Sequence, residues 1–188
     1  MRLAASLALR PVRAEDGALL RQIFAATRAA EMALMPLPEA QKQQLLEMQF
    51  RAQDAQYHAG FPDASFDLIL ADGVPVGRLY VDRGEDAIAL IDISLLAPYR
   101  GRGIGTLLLR ALQDEAAAGG RPVSLHVACD NPALRLYQRL GFAVCGDSGA
   151  YYSMKWGAAV QPGEQAPRSS LVGKSNFKEH SDGATLYR

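Results

Sequence analysis

A run of glycines between a strand-like segment and a helical one constrains this chain more than any other feature. The segment 99–109 reads YRGRGIGTLLL and follows an almost continuous apolar run. Gly101, Gly103 and Gly105 allow a sharp backbone turn and leave no side chains between the backbone and a ligand. The helix that follows points unpaired N–H groups and the positive end of its dipole at the same place. The segment therefore predicts a loop that binds an anion such as a phosphate group.

The spacing of these glycines excludes two common phosphate-binding loops. A G-x-G-x-x-G fingerprint begun at the first or second glycine would need another glycine where the chain has Thr106 or Leu108. A P-loop would need Gly-Lys-Ser or Gly-Lys-Thr, and neither is present here. The spacing that remains is R-x-x-G-x-G, from Arg100 through Gly103 to Gly105. A turn without a ligand is the alternative, although three glycines in five residues cost backbone entropy that such a turn does not require.

Length and charge balance limit the class of protein. A chain of 188 residues is long enough for one domain with a sizeable core. Its 20 Lys and Arg residues balance its 20 Asp and Glu residues, which argues against a general nucleic-acid or membrane-surface binder. No apolar run approaches the roughly 18 residues of a membrane span, and the run at 3–9 is too short for a signal peptide. We expect a cytoplasmic protein with no nucleic-acid or membrane partner.

The two cysteines, Cys129 and Cys145, form neither a C-x-x-C pair nor a Cys/His metal-binding pattern. We therefore expect no metal. A disulfide would be unusual in a reducing compartment, so we expect both thiols to be small buried apolar side chains.

Apolar periodicity and turn residues predict the element order β-α-α-β-β-β-α-β-α-β-β. Asp72 and Gly73 predict a tight hairpin between two of the strands. The apolar run 87–96 is typical of a strand buried on both faces. Asn131 is expected to cap a helix that has Pro132 at its first position. Strands that alternate with helices in the second half predict parallel neighbours covered by helices.

The composition changes after residue 156. The segment 157–188 is rich in Gly, Pro, Ser, Gln and charge, and it sustains no hydrophobic period. We expect a folded domain over 7–156 and a disordered tail over 157–188. Nothing in the tail suggests catalytic chemistry.

A second motif, NPALRLYQRLGF at 131–142, joins the glycine loop in resembling the GNAT superfamily of N-acetyltransferases. The motif matches the family's helix that ends in L-Y-x-x-x-G-F, and Leu95 matches the apolar residue commonly found five before the loop arginine. The resemblance covers 7–156. It implies an α/β (α+β) fold, with a mixed central sheet of about seven strands and helices on both faces. It also suggests a homodimer.

The resemblance implies that the loop binds the pyrophosphate of acetyl-CoA, the co-substrate, through backbone N–H groups. The backbone of the preceding strand would pair with the pantetheine arm and supply the oxyanion donor. The implied cofactor-binding residues are Leu95, Arg100, Gly101, Arg102, Gly103, Ile104, Gly105, Thr106 and Asn131. The chain departs from the family at Ala97, where proline is common, and at Asp130, which stands where asparagine is usual, with Asn131 one residue later.

The same resemblance implies that Tyr137 is the general acid, because it is the tyrosine of the L-Y-x-x-x-G-F motif. A phenol with a usual pKa near 10 is protonated at neutral pH and can donate its proton to a leaving sulfur. The alternative is a core aromatic residue, since Leu134, Tyr137 and Leu140 share one helical face.

The general base has two candidates. His126 lies in a short apolar strand, and an imidazole with a usual pKa of about 6.5 can take a proton at pH 7. A hydrogen-bonded core histidine is the alternative. Asp92 is a lone acid within 87–96, so it is either the base or a structural partner of another polar group. A water chain with no single base is the third alternative.

The resemblance implies transfer of an acetyl group to a primary amine by direct attack in a ternary complex. We expect a small-molecule acceptor, with a protein N-terminus as the next choice; a transfer-RNA acceptor fits poorly with the neutral charge. Glu31, Met32 and Met35 lie where the family forms its acceptor wall, although they could equally be packing residues. Two other classes stay open: a non-catalytic acyl-CoA sensor, and a nucleotide-dependent enzyme that uses the same loop.

Overall fold

The computed structural model of the protein describes residues 6–157. Within them, one seven-stranded sheet has the order β1-β2-β3-β4-β5-β7-β6. The strands are β1 Leu7–Pro11, β2 Ser65–Ala71, β3 Val74–Arg83, β4 Ile88–Leu95, β5 Val123–Ala128, β6 Ala143–Asp147 and β7 Tyr151–Trp156. The helices are α1 Gly17–Leu34, α2 Glu39–Gly60, α3 Ile104–Ala118 and α4 Leu134–Arg139. The predicted element order and the mixed sheet are confirmed; the predicted tail lies outside the described residues, apart from Gly157.

A tight turn fixes the register of β2 and β3. Asp72 and Gly73 have φ values of 50° and 77°, and a two-residue hairpin of type I′ requires positive φ at both central positions. Ala71 therefore lies opposite Val74. This confirms the predicted hairpin and places β3 beside β4 in the middle of the sheet.

Apolar side chains fill a layer on each face of the sheet, which confirms helices on both sides. The layer under α3 and α4 includes Leu79, Ile88, Leu90, Leu109, Leu112, Val123, Leu125, Val127 and Tyr137. The layer under α1 and α2 includes Leu20, Ile23, Phe24, Leu46, Phe50 and Leu68, with Tyr57, Tyr80 and Ile91 beside them. β4 contributes to both layers, as its continuous apolar run predicts.

The parallel neighbours β4 and β5 separate soon after they pair. Their register covers only 88–90 opposite 123–125, whereas β4 continues to Leu95 and β5 to Ala128. The far edge of β4 stays paired with β3 as far as Leu95. A gap therefore opens in the sheet between the last residues of β4 and β5.

A β-bulge in β4 lies at the level where this gap begins. Tyr80 of β3 pairs with Asp92. The next residue, Val81, pairs with Leu90, so Ile91 is the extra residue on β4. A bulge bends a strand and increases its twist. Strict alternation would put Leu90 and Asp92 on one face; the bulge instead turns Asp92 toward α2, where it meets Tyr57.

Three further details of residues 6–157 bear on the predictions. α4 begins at Leu134, two residues later than expected, because Asn131 to Ala133 form a turn.

Cys129 and Cys145 are half-buried free thiols, so the expectation of full burial is wrong. Cys129 follows the end of β5, and Cys145 lies on the edge strand β6. No helix within residues 6–157 is both long enough and apolar enough to cross a membrane.

Candidate active site

The gap between the ends of β4 and β5, which we call the wedge, is bounded by residues 91–95 and 126–128. Within the described chain, no β5 residue pairs with β4 beyond Leu90. The backbone N–H and C=O groups of 91–95 that do not bond to β3 therefore face a gap instead of a neighbouring strand. Such an edge binds extended ligands by the same hydrogen bonds that hold a sheet together.

The glycine loop begins where β4 ends. Gly101 and Gly103 have φ values of 69° and 84°, in the left-handed region that residues with a Cβ rarely adopt. A backbone bond at the start of α3 runs from the Leu107 N–H to the Gly103 carbonyl oxygen (3.0 Å). The N–H groups of 104–106 therefore have no partner within the helix. Together with the positive end of α3, they can hold a pyrophosphate.

Protein groups hold the side chains of both loop arginines. Arg100 donates from Nε to the Leu95 carbonyl oxygen (2.7 Å) and from Nη2 to the Ala26 carbonyl oxygen in α1 (3.2 Å). The Arg102 guanidinium lies 5.3 Å from the centroid of the Tyr99 ring. Arg100 thus ties the loop to β4 and to α1. Both side chains keep positive charge beside the N-terminus of α3.

Gly103→Ala is expected to weaken coenzyme A binding roughly five- to thirtyfold. The left-handed conformation costs an L residue about 1–2 kcal/mol, and the alternative is a loop whose N–H groups no longer converge. Isothermal titration with coenzyme A measures the change. Gly60→Ala is the matched control, because a Cβ there meets no atom within 4 Å and needs no left-handed backbone. Equal affinity in Gly103→Ala and the unmodified protein would contradict the role given to the loop.

Tyr137 lies on α4 with its ring in the core, 4% exposed. The ring packs against Phe142 at an interplanar angle of 69°, with centroids 5.8 Å apart. Its hydroxyl has no hydrogen-bond partner among residues 6–157. Burial raises the pKa of Tyr137 above its usual value, and the negative charge of Asp92 raises it further. The ring is thus a core aromatic, as the packing alternative predicts. Its hydroxyl is also a protonated donor without a protein partner, which is what the general-acid prediction requires.

Asp92 is 2% exposed, and its carboxylate accepts three hydrogen bonds. Oδ2 accepts from Arg78 Nη2 (2.7 Å) and from the Tyr57 hydroxyl (3.2 Å). Oδ1 accepts from Ser94 Oγ (2.6 Å). Arg78 Nη2 also donates to Gln53 Oε1 (2.7 Å). We call these five residues the Asp92 cluster. The sequence left two roles open for Asp92, a general base or a structural partner of another polar group. The contacts of Asp92 in this cluster match the second role.

The charges of the Asp92 cluster offset one another. Burial alone would lower the pKa of Arg78, but the adjacent Asp92 outweighs it, and the pKa lies above its usual value. The Arg78 guanidinium lies 5.1 Å from the centroid of the Tyr80 ring. Burial raises the pKa of Tyr80 to about 12, so this phenol stays neutral. The cluster therefore contains one positive and one negative charge.

His126 is exposed, so the core-histidine alternative is wrong. Leu125 pairs with Leu90, and counting on past the bulge brings His126 level with Asp92 on the opposite wall of the wedge. Both residues lie on the face away from α3. The neighbour of His126, Leu125, belongs to the layer under that helix, and the bulge turns Asp92 to the opposite face, toward Tyr57 of α2. Desolvation by neighbouring groups lowers the pKa of His126 below its usual value. The ring is therefore neutral at pH 7 and can accept a proton.

Asn131 is buried and forms part of the turn before α4. Its Oδ1 accepts from the Ala133 N–H (2.8 Å), and its carbonyl oxygen accepts from the Leu134 N–H (3.0 Å). It therefore stabilises the turn before the helix that carries Tyr137. The prediction that Asn131 caps this helix, with Pro132 at its first position, is wrong: the Asn131 side chain bonds within the turn, and the residue at the N-cap position is Ala133. Within 6–157, no three His, Cys, Asp or Glu side chains are grouped so that they could hold a metal ion.

The residues predicted as an acceptor wall divide into two kinds. Met32 is buried in the layer under α1 and α2, and Met35 packs partly against it. Glu31 is partly exposed, and its Oε2 accepts from Nη1 of the buried Arg28 (3.0 Å). The two methionines are thus packing residues, while Glu31 is a paired charge near the end of α1.

Sequence reasoning missed Tyr57, Arg78 and Ser94. One signal existed: VPVGRLYV at 74–81 has an arginine in an otherwise apolar strand, and a buried arginine needs an acidic partner. Nothing local identifies that partner. Tyr57, for example, is 35 positions from Asp92 in the chain.

Solved structures share this fold. The PaiA N-acetyltransferase of Thermoplasma acidophilum, in complex with coenzyme A, matches with a TM-score of 0.60 over 81% of this chain and 99% of that chain, at 19% identity. An acetyltransferase from Thermus thermophilus matches with a TM-score of 0.59 over 82% of this chain and 99% of that chain, at 26% identity. The first of these likenesses shows the fold alone.

Sequence comparison identifies the family. The streptothricin acetyltransferase of Streptomyces lavendulae is 39% identical over 92 residues, which are 47% of this chain and 49% of that protein. The chain thus spans about half the length of the curated relative that it matches. Residues 27–142 match the acetyltransferase (GNAT) family, and this range includes the wedge, the glycine loop and α4. Because the match extends over more than half of its length, this chain belongs to the acetyltransferase (GNAT) family.

Proposed function

We propose that this protein transfers the acetyl group of acetyl-CoA to a primary amine of a small molecule, by direct attack in a ternary complex. The observation that carries the proposal is the wedge, whose open strand edge leads into the glycine loop and the N-terminus of α3. The buried phenol of Tyr137 is near enough to Asp92, on that edge, for the carboxylate charge to raise its pKa. The free N–H groups of 104–106 suit the pyrophosphate. The backbone edge 91–95 suits the amide-containing pantetheine arm, which can pair as a strand does.

The proposed reaction gives His126 and Tyr137 opposite proton-transfer roles. The amine nitrogen attacks the thioester carbon, and a backbone N–H of the 91–95 edge stabilises the oxyanion. His126 takes the proton that the amine loses, directly or through water. The C–S bond then breaks, and Tyr137 gives its proton to the leaving sulfur. Asp92 is the weaker base candidate, because its oxygens already accept three hydrogen bonds.

The acceptor class is supported by the curated relative, which is named for streptothricin. The test measures free coenzyme A released from acetyl-CoA with streptothricin, spermidine, kanamycin, lysine or a short peptide with a free N-terminus. Release with a small amine above the blank without acceptor supports the proposal. Release with the peptide alone would move the acceptor to protein N-termini. No release with any acceptor would overturn the proposed amine transfer.

His126→Gln is expected to lower kcat roughly 10²-fold at pH 7, at the lower end of the range for a general base. A general base must be unprotonated to accept a proton. Desolvation holds the pKa of His126 below about 6.5, so kcat of the unmodified enzyme should fall as the pH drops through that pKa. The variant should lose this acidic limb. The measurement is kcat at saturating amine from pH 5 to 9.

The matched control is His58→Gln. His58 lies near the end of α2, and its ring stacks on Phe66 with centroids 4.2 Å apart. The pH profile of kcat in His58→Gln should therefore equal that of the unmodified enzyme. An acidic limb that survives in His126→Gln would assign the proton transfer to another group.

A further inference from the structure

Ser94 has an unusual combination of burial and unused hydrogen-bonding capacity. It lies on the stretch of β4 that forms the wall of the wedge, and it is 6% exposed. Its hydroxyl donates to Asp92 Oδ1 (2.6 Å). No group within residues 6–157 donates a hydrogen bond to its oxygen. A serine hydroxyl carries one proton and two acceptor sites, so two acceptor sites remain on the oxygen of this buried residue.

The Asp92 cluster fixes the direction of the Ser94 hydroxyl. Asp92 is an ion-paired carboxylate with no proton of its own to donate, so Ser94 must be the donor in their hydrogen bond. Arg78 and Tyr57 occupy the other carboxylate oxygen. The carboxylate therefore cannot turn away without breaking two further hydrogen bonds. The Ser94 proton is held toward Asp92, and the oxygen can offer only lone pairs to any further group.

We infer that Ser94 is a specificity-determining residue that accepts a hydrogen bond from an N–H of the acceptor amine, and that Asp92 is the positioning residue that holds its hydroxyl in this direction. The inference rests on the proposed amine acceptor. Ser94 follows Asp92 by two residues on the same face of β4, the face on which His126 lies across the wedge. An amine bound to Ser94 Oγ would thus lie between this wall and the proposed base. A group that could only accept hydrogen bonds would meet the lone pairs and be rejected.

The Asp92→Asn variant is expected to reverse the direction of the hydrogen bond between residue 92 and the Ser94 hydroxyl. Arg78 and Tyr57 both donate, so the carboxamide oxygen must face them. The NH₂ group then faces Ser94 and donates to its oxygen. The Ser94 proton is displaced toward the wedge, and the side chain becomes a donor to the acceptor site. The change keeps the shape of the side chain and inverts one hydrogen bond, and it also leaves Arg78 buried without its counter-charge.

The experiment measures KM and kcat for the amine in Ser94→Ala, Asp92→Asn and the unmodified enzyme, using the acceptor of the streptothricin, spermidine, kanamycin and lysine panel with the highest kcat/KM. We expect KM for the amine to rise roughly tenfold or more in both variants, the usual effect of losing a hydrogen bond to a charged group. The Kd for coenzyme A and the pH dependence of kcat should stay unchanged. Ser65→Ala is the matched control, because its hydroxyl also bonds protein groups but lies on β2, beside Arg83.

Two outcomes would overturn the inference. An unchanged KM in both variants would show that the amine does not contact Ser94. A loss of kcat and of the acidic limb in Asp92→Asn, with KM unchanged, would make Asp92 the base and not a positioning residue. Thermal unfolding of each variant establishes that it is folded. Failure of the proposed function gives a different result from failure of this inference. If the proposed function is wrong, the unmodified enzyme turns over no amine in the panel.

Discussion

Tyr137→Phe is expected to lower kcat by about 10²- to 10⁴-fold, the range for a lost general acid, with little change in the Kd for acetyl-CoA. The substitution removes one oxygen and keeps the ring that packs against Phe142. That oxygen has no hydrogen-bond partner among the described residues, so its removal leaves no protein group unsatisfied. Stability should therefore hardly change, and the lost rate can be attributed to the missing proton.

The pKa of Tyr137 adds a second readout to this variant. Burial and the charge of Asp92 raise that pKa above its usual value near 10. An acid must be protonated to donate, so activity assigned to Tyr137 should persist without an alkaline limb up to about pH 10. The measurement is kcat from pH 7 to 10 at saturating amine.

Tyr152→Phe is the matched control for Tyr137→Phe. Tyr152 packs against the same core from β7, and its loss should leave kcat within a few-fold of the unmodified enzyme. Equal rates in Tyr137→Phe and the unmodified enzyme would remove the acid role and leave Tyr137 as a core residue. A rate loss in both variants would point to disturbed packing of this core instead.

The parts of the site that could be predicted from the sequence depend on local signals. The glycine loop is one example. The positive φ angles at Gly101 and Gly103 and the helix that follows can all be predicted from residues adjacent in the sequence. The hairpin at Asp72 and Gly73 is another. Tyr137 belongs to this group as well, since its motif is contained within a dozen residues.

The Asp92 cluster could not be predicted, because its members come from α2, β3 and β4. The sequence predicts that Asp92 needs a partner but not which residue supplies it. A single extra residue, Ile91, also decides which face Asp92 occupies, and strand periodicity gives no warning of a bulge. His126 shows the reverse problem: the apolar strand around it suggests burial, but its side chain lies on the face opposite Leu125 and Val127 and is exposed.

Arg78→Met is expected to reduce the free energy of unfolding by about 3–5 kcal/mol, the usual result of removing one partner from a buried ion pair. Both side chains of the pair are 3% exposed. The variant leaves the Asp92 carboxylate buried without a cation, and it removes the donor to Gln53. Met has an unbranched apolar side chain that can fill most of the space, so the loss reflects charge more than volume. Urea unfolding at pH 7 measures it.

Two further variants separate the buried charge from other causes of this instability. Arg51→Met breaks the Arg51–Glu47 pair, whose arginine side chain is 76% exposed, and should cost less than about 1 kcal/mol. Arg78→Met combined with Asp92→Leu removes both buried charges and should recover most of the loss, because an apolar pair of similar volume needs no desolvation of ions. If the double variant is as unstable as Arg78→Met alone, the instability comes from packing around Tyr57 and Tyr80. If it recovers stability but transfers no acetyl group, the buried pair is retained in this fold to orient groups at the wedge and not to hold the sheet together.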